Sequence, residues 1–308
     1  MKLGFLTACL KDVPLEELVP KAAVWGFQAL EVGAWPLENG RDYAGSSIDV
    51  VRFDQAQADQ IKDLFQKHQL EISSLAYYDN NLDPDPQVRG HHLEHLKKVI
   101  DAAALLGVDL VGTFTGRNPF KTIAANMDEF VAVFPPILAY AAAKGIKLMI
   151  ENCPMPGWSH DGWPGTISYS PELWREMFQR IPAENFGLNL DPSHLYWLGI
   201  DYLPIIPEFK DRIFHTHAKD TVIFKEKLND YGIYGKQMRR KDDWDLDWWS
   251  YRMPGRGEID WKKFIATLRT HGYQGVLSIE HEDPDYEGDP AKIEAGLQLG
   301  CNYLKPLL

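Results

Sequence analysis

Short apolar runs recur along the whole chain, each followed by a segment with helical spacing, and this alternation limits the fold more than any other feature. Eight runs read as strands: KLGFLTA (residues 2–8), FQALEVGA (27–34), EISSLAYY (71–78), LVGTFTG (110–116), KLMIENC (147–153), FGLNLDPSH (186–194), IFHTHAKD (213–220) and VLSIEHED (276–283). Between them lie helix signals. Asp54 with Gln57 three residues on forms a capping box. Ser170 precedes Pro171 at a helix start, and Asp260 opens a helix that closes at Gly272. Gly26, Gly107, Gly145 and Gly272 each end a helix just before a strand. Eight βα units in succession predict an α/β fold of the (β/α)8 TIM-barrel type, in a single domain over residues 1–308. A doubly wound sheet would use fewer strands. To bind a nucleotide it would also need a glycine-rich first βα turn, which LTACLKDVP is not.

One segment breaks the rhythm. Residues 221–258 form a long aromatic stretch after the seventh strand, with Tyr231, Tyr234, Trp244, Trp248, Trp249 and Tyr251. So many aromatics argue against disorder. The stretch reads as a lid over the barrel mouth, or as a contact in a homo-oligomer. The formal net charge of −12 opposes a nucleic-acid partner. The basic RRK of residues 239–241 is followed at once by DDWDLD, a solvated loop. Cys9, Cys153 and Cys301 are too few and scattered for a disulfide framework and fit a reducing cytoplasm. LTAC imitates a lipoprotein cleavage site, but the apolar run before Cys9 is too short. No apolar run is long enough for a membrane span.

The strand ends carry the chemistry. Along RIFHTHAKD, His215, His217 and Lys219 fall on one face, where a barrel interior should be apolar. Glu151, Asp191, His217 and Glu280 close four consecutive strands on matching faces. Asn189, His215 and Ser278 lie one step deeper, suited to hydrogen-bond the groups above them. Three carboxylates and one imidazole predict one divalent metal, with Mn²⁺ preferred and Mg²⁺, Co²⁺ or Zn²⁺ as alternatives. The competing reading is a salt-bridged polar layer. Without a cation, that layer would carry a large desolvation cost.

IENCP, LDPSH, HTHAKD, PGRGEIDW and GVLSIEHED together resemble the sugar phosphate isomerase/epimerase superfamily of xylose isomerase-like barrels. Its members include ketose 3-epimerases, inosose dehydratases and isomerases, and hydroxypyruvate isomerase. The resemblance implies that Glu151, Asp191, His217 and Glu280 hold the metal, that Glu151 and Glu280 exchange protons with a substrate carbon, and that His194 contacts substrate. Ketose epimerases place an arginine six residues after the metal histidine. Here Ile223 stands there, and Lys219 or Arg256 is the expected substitute. The related endonuclease IV type has a further Asp-x-His motif that PGRGEIDW lacks.

The expected substrate is therefore a small carbohydrate: a sugar, ketose or cyclitol isomerised or epimerised through an enediolate. A dehydratase or lyase acting on a keto-sugar, inosose or 3-keto-glycoside is the alternative, and a sugar-binding complex subunit is the non-enzymatic one. His160, Trp35, Tyr78, Asn80 and Arg117 are further candidates for substrate contacts. Glu282, two residues after Glu280, is expected to raise its basicity by repulsion. His91, His92 and His95 read as a solvated helix start rather than a second metal site.

Overall fold

The computed structural model describes every residue except 39, 42 and 159–163. Its strands are β1 (Lys2–Leu6), β2 (Ala29–Gly33), β3 (Glu71–Ala76), β4 (Leu110–Thr113), β5 (Lys147–Glu151), β6 (Phe186–Leu190), β7 (Ile213–Ala218), β8 (Asp220–Ile223), β9 (Trp249–Arg252) and β10 (Val276–Ile279). All but β8 and β9 close into one parallel barrel, with β10 returning to pair with β1, Lys2 opposite Val276. Around it run α1 (Leu15–Trp25), α2 (Gln55–Lys67), α3 (Pro86–Leu106), α4 (Ile123–Ala142), α5 (Pro171–Arg180), the short α6 (Pro192–Trp197) and α7 (Ile205–Phe209), α8 (Lys225–Tyr231), α9 (Trp261–Thr270) and α10 (Pro290–Leu304). Strands covered on both faces are largely apolar, and β2, β6 and β10 are buried along their whole lengths, with one polar residue each in the interior, Glu31, Asn189 and Ser278.

The local signals act as expected. Asp54 accepts from the Gln57 backbone N–H while the Gln57 side chain receives the Asp54 N–H. Gly26 and Gly107 end α1 and α3 in the left-handed region, which a Cβ disfavours. The strands, however, stop one to four residues earlier than their polarity patterns suggest. β6 ends at Leu190, and Asp191 then N-caps α6 with Pro192 in its first turn. Side-chain alternation does not mark where the ladder ends, and the polar residues just beyond it sit on backbone freed from pairing.

The aromatic segment is more ordered than a loop. β8 and β9 form an antiparallel pair, Asp220 opposite Arg252 and Ile223 opposite Trp249. DTVI and WSYR are too short and too far apart for alternation alone to reveal this. Trp248, Trp249, Tyr251 and Leu246 pack with Trp197 of α6 into a second apolar cluster. Trp197 and Trp249 stack at 4.5 Å with an 8° interplanar angle. We call this ribbon the lid.

Asp220 roots the lid. Its carboxylate accepts from the backbone N–H groups of Thr221, Gly255 and Ile259 and from the Trp261 indole. A Cβ on Gly257 would stand 2.3 Å from its Oδ1, so PGRGEIDW is shaped to wrap this carboxylate. Removing it leaves buried donors unpartnered. Asp220→Ala should cost about 3 kcal/mol, read as a lower urea midpoint at unchanged slope. Asp220→Asn should recover only part, because its amide nitrogen cannot accept. An unchanged midpoint for Asp220→Ala would refute this anchoring role.

Candidate metal centre at the barrel mouth

β5, β6, β7 and β10 are neighbours in the barrel. Their C-terminal ends therefore bring Glu151, Asp191, His217 and Glu280 together, with one ligand atom of each within 4.8 Å of the others. Glu151, Asp191 and His217 are fully buried. His217 Nδ1 lies 3.2 Å from Glu151 Oε1 and 3.1 Å from Glu280 Oε2. Its other nitrogen, Nε2, donates to Glu31 Oε2 at 2.9 Å. Glu31 also accepts from the Tyr78 hydroxyl at 2.7 Å and from Ser278 Oγ at 2.9 Å. With Glu31 holding Nε2, the Nδ1 nitrogen is fixed facing the carboxylates, where it would serve as the ligand atom for a cation. Burial alone would raise the Glu31 carboxyl. The imidazoles of His217 and His215 outweigh burial and lower it to about 2.

Sequence reasoning missed Glu31, although a signal was present: one acid in the middle of an otherwise apolar strand. His215 supports the centre from below, but through Asn189 rather than by touching His217. Its Nδ1 donates to Asn189 Oδ1 at 3.2 Å and its Nε2 receives the Ser73 hydroxyl at 3.1 Å. The Asn189 amide donates in turn to Tyr78 at 2.7 Å. Burial lowers His215 to about 4 and keeps it neutral. Glu31, His215 and His217 also gather within ligand distance. There, the Glu31 oxygens and both His215 nitrogens are already engaged by hydrogen bonds.

Asp191 supplies the observation that tests for a cation. Its Oδ1 accepts from the Ser193 N–H at 2.7 Å, while Oδ2 is buried with no hydrogen-bond partner. The Lys219 ammonium stands 3.6 Å from that oxygen. Asp191, Glu280 and Glu282 crowd around this one ammonium, and Glu31 and Glu151 add two more buried carboxylates beside His217. So much buried negative charge is costly without further positive charge. Three carboxylate oxygens, one of them orphaned, and one imidazole nitrogen fit a single divalent ion.

Lys219 lies on the cavity floor, donating to Glu280 at 2.5 Å and Glu282 at 3.2 Å, with its ammonium 4.4 Å from the Tyr251 ring centre. This corrects the expected role of Glu282. Lys219 separates the two glutamates, so repulsion does not raise Glu280. Burial would push Glu280 up, but Lys219 and His217 hold it well below the usual carboxylate range. Glu282 is the one pushed up, to about 8, by burial and by Glu280 against the pull of Lys219.

His194 sits one helical turn after Asp191. It donates from Nε2 to Glu151 at 3.1 Å and accepts the Tyr251 hydroxyl on Nδ1 at 2.9 Å. Tyr251 belongs to the lid, so this bond ties the cover to the centre. Above the centre opens a cavity of about 620 Å³, bordered by Trp35, Tyr78, Lys219 and Glu280 and, from the lid, by Trp244 and Trp249. Trp248 packs behind them against Trp197. Trp35 is only 2% exposed and packs on Tyr77 and Tyr78, so it serves both core and cavity wall.

Other candidates are placed elsewhere. Arg256 pairs with Asp283 at 2.7 Å and Asp285 at 2.8 Å and does not line the cavity, so of the two expected substitutes it is Lys219 that stands at the site. Asn80 receives the Leu82 and Arg117 N–H groups, and Arg117 donates to the Pro164 carbonyl. His160 falls outside the described residues. His92 bonds the Asn80 carbonyl and His95 the Ala34 carbonyl, bracing loops instead of gathering around an ion. Arg41, which the sequence did not single out, also lines the cavity.

A family model described as a xylose isomerase-like TIM barrel matches residues 19–307. The chain belongs to this family. The uncharacterized protein YfiH of Bacillus subtilis (strain 168) is 27% identical over 99% of this chain and 98% of its own. An inosose dehydratase of Salmonella agona (strain SL483) is 32% identical over 54% of this chain and 50% of the dehydratase. The structure of D-psicose 3-epimerase from Clostridium cellulolyticum H10, solved with D-tagatose, shares the fold at TM-score 0.71 and 16% identity, covering 100% of this chain and 99% of the epimerase. Among the described residues, no helix is long and apolar enough to cross a membrane.

The Glu31–His217 bond yields a prediction. Glu31→Ala leaves the four converging groups in place but frees the imidazole to rotate or change tautomer. Its affinity for Mn²⁺, titrated through the rise in thermal midpoint, should fall about 10–100-fold. Wild-type affinity would show that Glu31 does not orient this ligand.

Proposed function

We propose that this chain is a divalent-metal-dependent isomerase or epimerase of a sugar, ketose or cyclitol, working through an enediolate. The observation that carries this reading is the orphaned Asp191 Oδ2, buried among Glu151, His217 and Glu280 beneath a cavity large enough for a sugar. Those four residues would hold the ion, with Mn²⁺ preferred for their oxygen-rich set. When bound, the ion supplies Lewis acidity to a carbonyl and its neighbouring hydroxyl.

The chain's own residues do the rest. Glu280 takes the proton from the carbon next to the carbonyl, and Lys219 holds its carboxylate in place. Glu151, fixed by the His194 N–H, serves the opposite face and returns a proton there. Lys219 also contacts substrate oxygens, whereas His194, expected to do so, has both ring nitrogens engaged by Glu151 and Tyr251 and positions Glu151 instead; Trp35 offers an indole face to the C–H side of the ring. Tyr251 closes the lid on His194 and limits the entry of water.

A dehydratase is the second reading, favoured by the likeness to an inosose dehydratase. Loss of a hydroxyl β to the carbonyl would follow from the same enediolate. The complete set of converging groups weighs against a sugar-binding subunit without activity. Three free cysteines suit a reducing cytoplasm.

Two outcomes test the proposal. Elemental analysis should find one divalent ion per chain, and Glu151→Gln and His217→Ala should each lower occupancy without unfolding the barrel; full metal content in both would sink the assignment. A panel of ketoses and inososes in deuterated water, followed by NMR, should show exchange of the hydrogen next to the carbonyl. Glu280→Gln with metal restored should slow that exchange by at least about a hundredfold, the usual scale for a general base. Undiminished exchange in that variant would rule out Glu280 as the base.

A further inference from the structure

The cavity is larger and more aromatic than a monosaccharide needs. A hexose has a dozen non-hydrogen atoms; even at the roughly 30 Å³ that one water takes up in the liquid, it would fill about 360 Å³. That leaves roughly 260 Å³ of the 620 Å³ unused. Eight of the 23 lining residues are aromatic, against 12% of the chain.

Part of that aromatic surface is at the rim. Trp158 follows β5, packs edge-on to Phe114 at 5.5 Å and carries the Arg41 guanidinium 5.6 Å from its ring centre. Trp244 comes from the lid and lies against Gly157, where a Cβ would stand 1.8 Å from the indole nitrogen. The glycine thus lets Trp244 close down beside Trp158. Trp244 is 39% exposed, a large apolar face left open at the mouth of the cavity.

Charge narrows the occupant. The lining carries six acids and three bases, and of the bases Lys219 is held by Glu280 and Glu282 and Arg41 by Asp79. Apart from the floor groups, Asp242, Asp245 and Glu287 stand against Arg41 and Lys241, a near balance that gives an anion no net attraction. A neutral ring would find faces to stack on.

We infer that Trp158 and Trp244 form a second subsite for a neutral ring joined to the sugar at the floor, so that the substrate class is a glycoside whose floor ring carries a keto group, rather than a free monosaccharide. This rests on the proposed sugar chemistry at the four converging residues and adds to it the size and character of the substrate. The second ring is either an aryl group or another sugar presenting its C–H face; both stack in the same way.

Calorimetry on the Mn²⁺-loaded protein tests this without needing turnover. Glucose, phenyl β-D-glucopyranoside and cellobiose serve as probes. At least one of the two larger probes should bind tenfold or more tighter than glucose, and whichever does so identifies the ring as aryl or sugar. Trp244→Ala and Trp158→Ala should each shrink that preference to under threefold while leaving glucose within twofold of wild type. Trp244→Phe should retain most of it. Thermal midpoints check folding, and Trp244, being partly exposed, can be truncated without touching the main core. Equal affinities for all three probes, or a preference that survives both alanine variants, would overturn the subsite. Deuterium exchange is the separate readout of the reaction. Exchange on free ketoses with no glycoside preference removes the subsite and leaves the enediolate. Indole-dependent binding with no exchange on any sugar or glycoside does the reverse.

Discussion

The His217 imidazole is gripped from both sides, by Glu31 below and by Glu151 and Glu280 above. Neither half of the centre makes sense without the other. Glu31 stays ionised at full burial because two imidazoles stand beside it. His217 keeps a strong affinity for positive charge because burial, which would discharge it, is outweighed by Glu31, Glu280 and Glu151. From this axis the polar interior extends through Tyr78, Asn189, His215 and Ser73, a chain of hydrogen bonds that crosses a barrel otherwise filled by apolar side chains. A network of this kind stabilises only when each member is satisfied. The orphaned oxygen of Asp191 is therefore informative: it sits where the network stops and the cavity begins.

Much of this was legible in the sequence because it depends on period and order. Eight strand-like runs predict the barrel, and a shared parity at four neighbouring strand ends predicts that Glu151, Asp191, His217 and Glu280 meet. Glu31 was harder. It lies 186 residues from His217, and only barrel closure brings the second strand across from the seventh. The Glu282 expectation failed for a related reason. Strand parity puts Glu280, Glu282 and Lys219 near one mouth, but it cannot say that the ammonium stands between the carboxylates. Arg256 was misjudged because its partners, Asp283 and Asp285, lie on a loop whose path the sequence pattern does not give. The Tyr251–His194 bond joins a four-residue strand to a six-residue helix, both too short to read from periodicity.

The lid grows directly out of the centre. Lys219 faces the carboxylates, and the next residue, Asp220, faces away and gathers the returning chain. One peptide unit thus separates a group at the reacting floor from the group that fixes the cover. Tyr251 closes the loop from the far side. A displacement of the ribbon would pull on both, so opening of the mouth and disorder at the floor are mechanically linked.

That arrangement divides the ribbon into parts with different freedom to change. Its roots, Asp220 and the turn at Gly255 and Gly257, are locked by buried hydrogen bonds and by glycines with no room for a side chain. The stretch from Lys225 to Met238 is another matter: α8 has no buried residue, and Ile233, Tyr234 and Met238 stand out in solvent. Insertions, deletions and substitutions there leave the barrel's register and its buried polar axis untouched. This stretch is therefore where the chain can vary its length and chemistry at the mouth without disturbing the buried axis beneath.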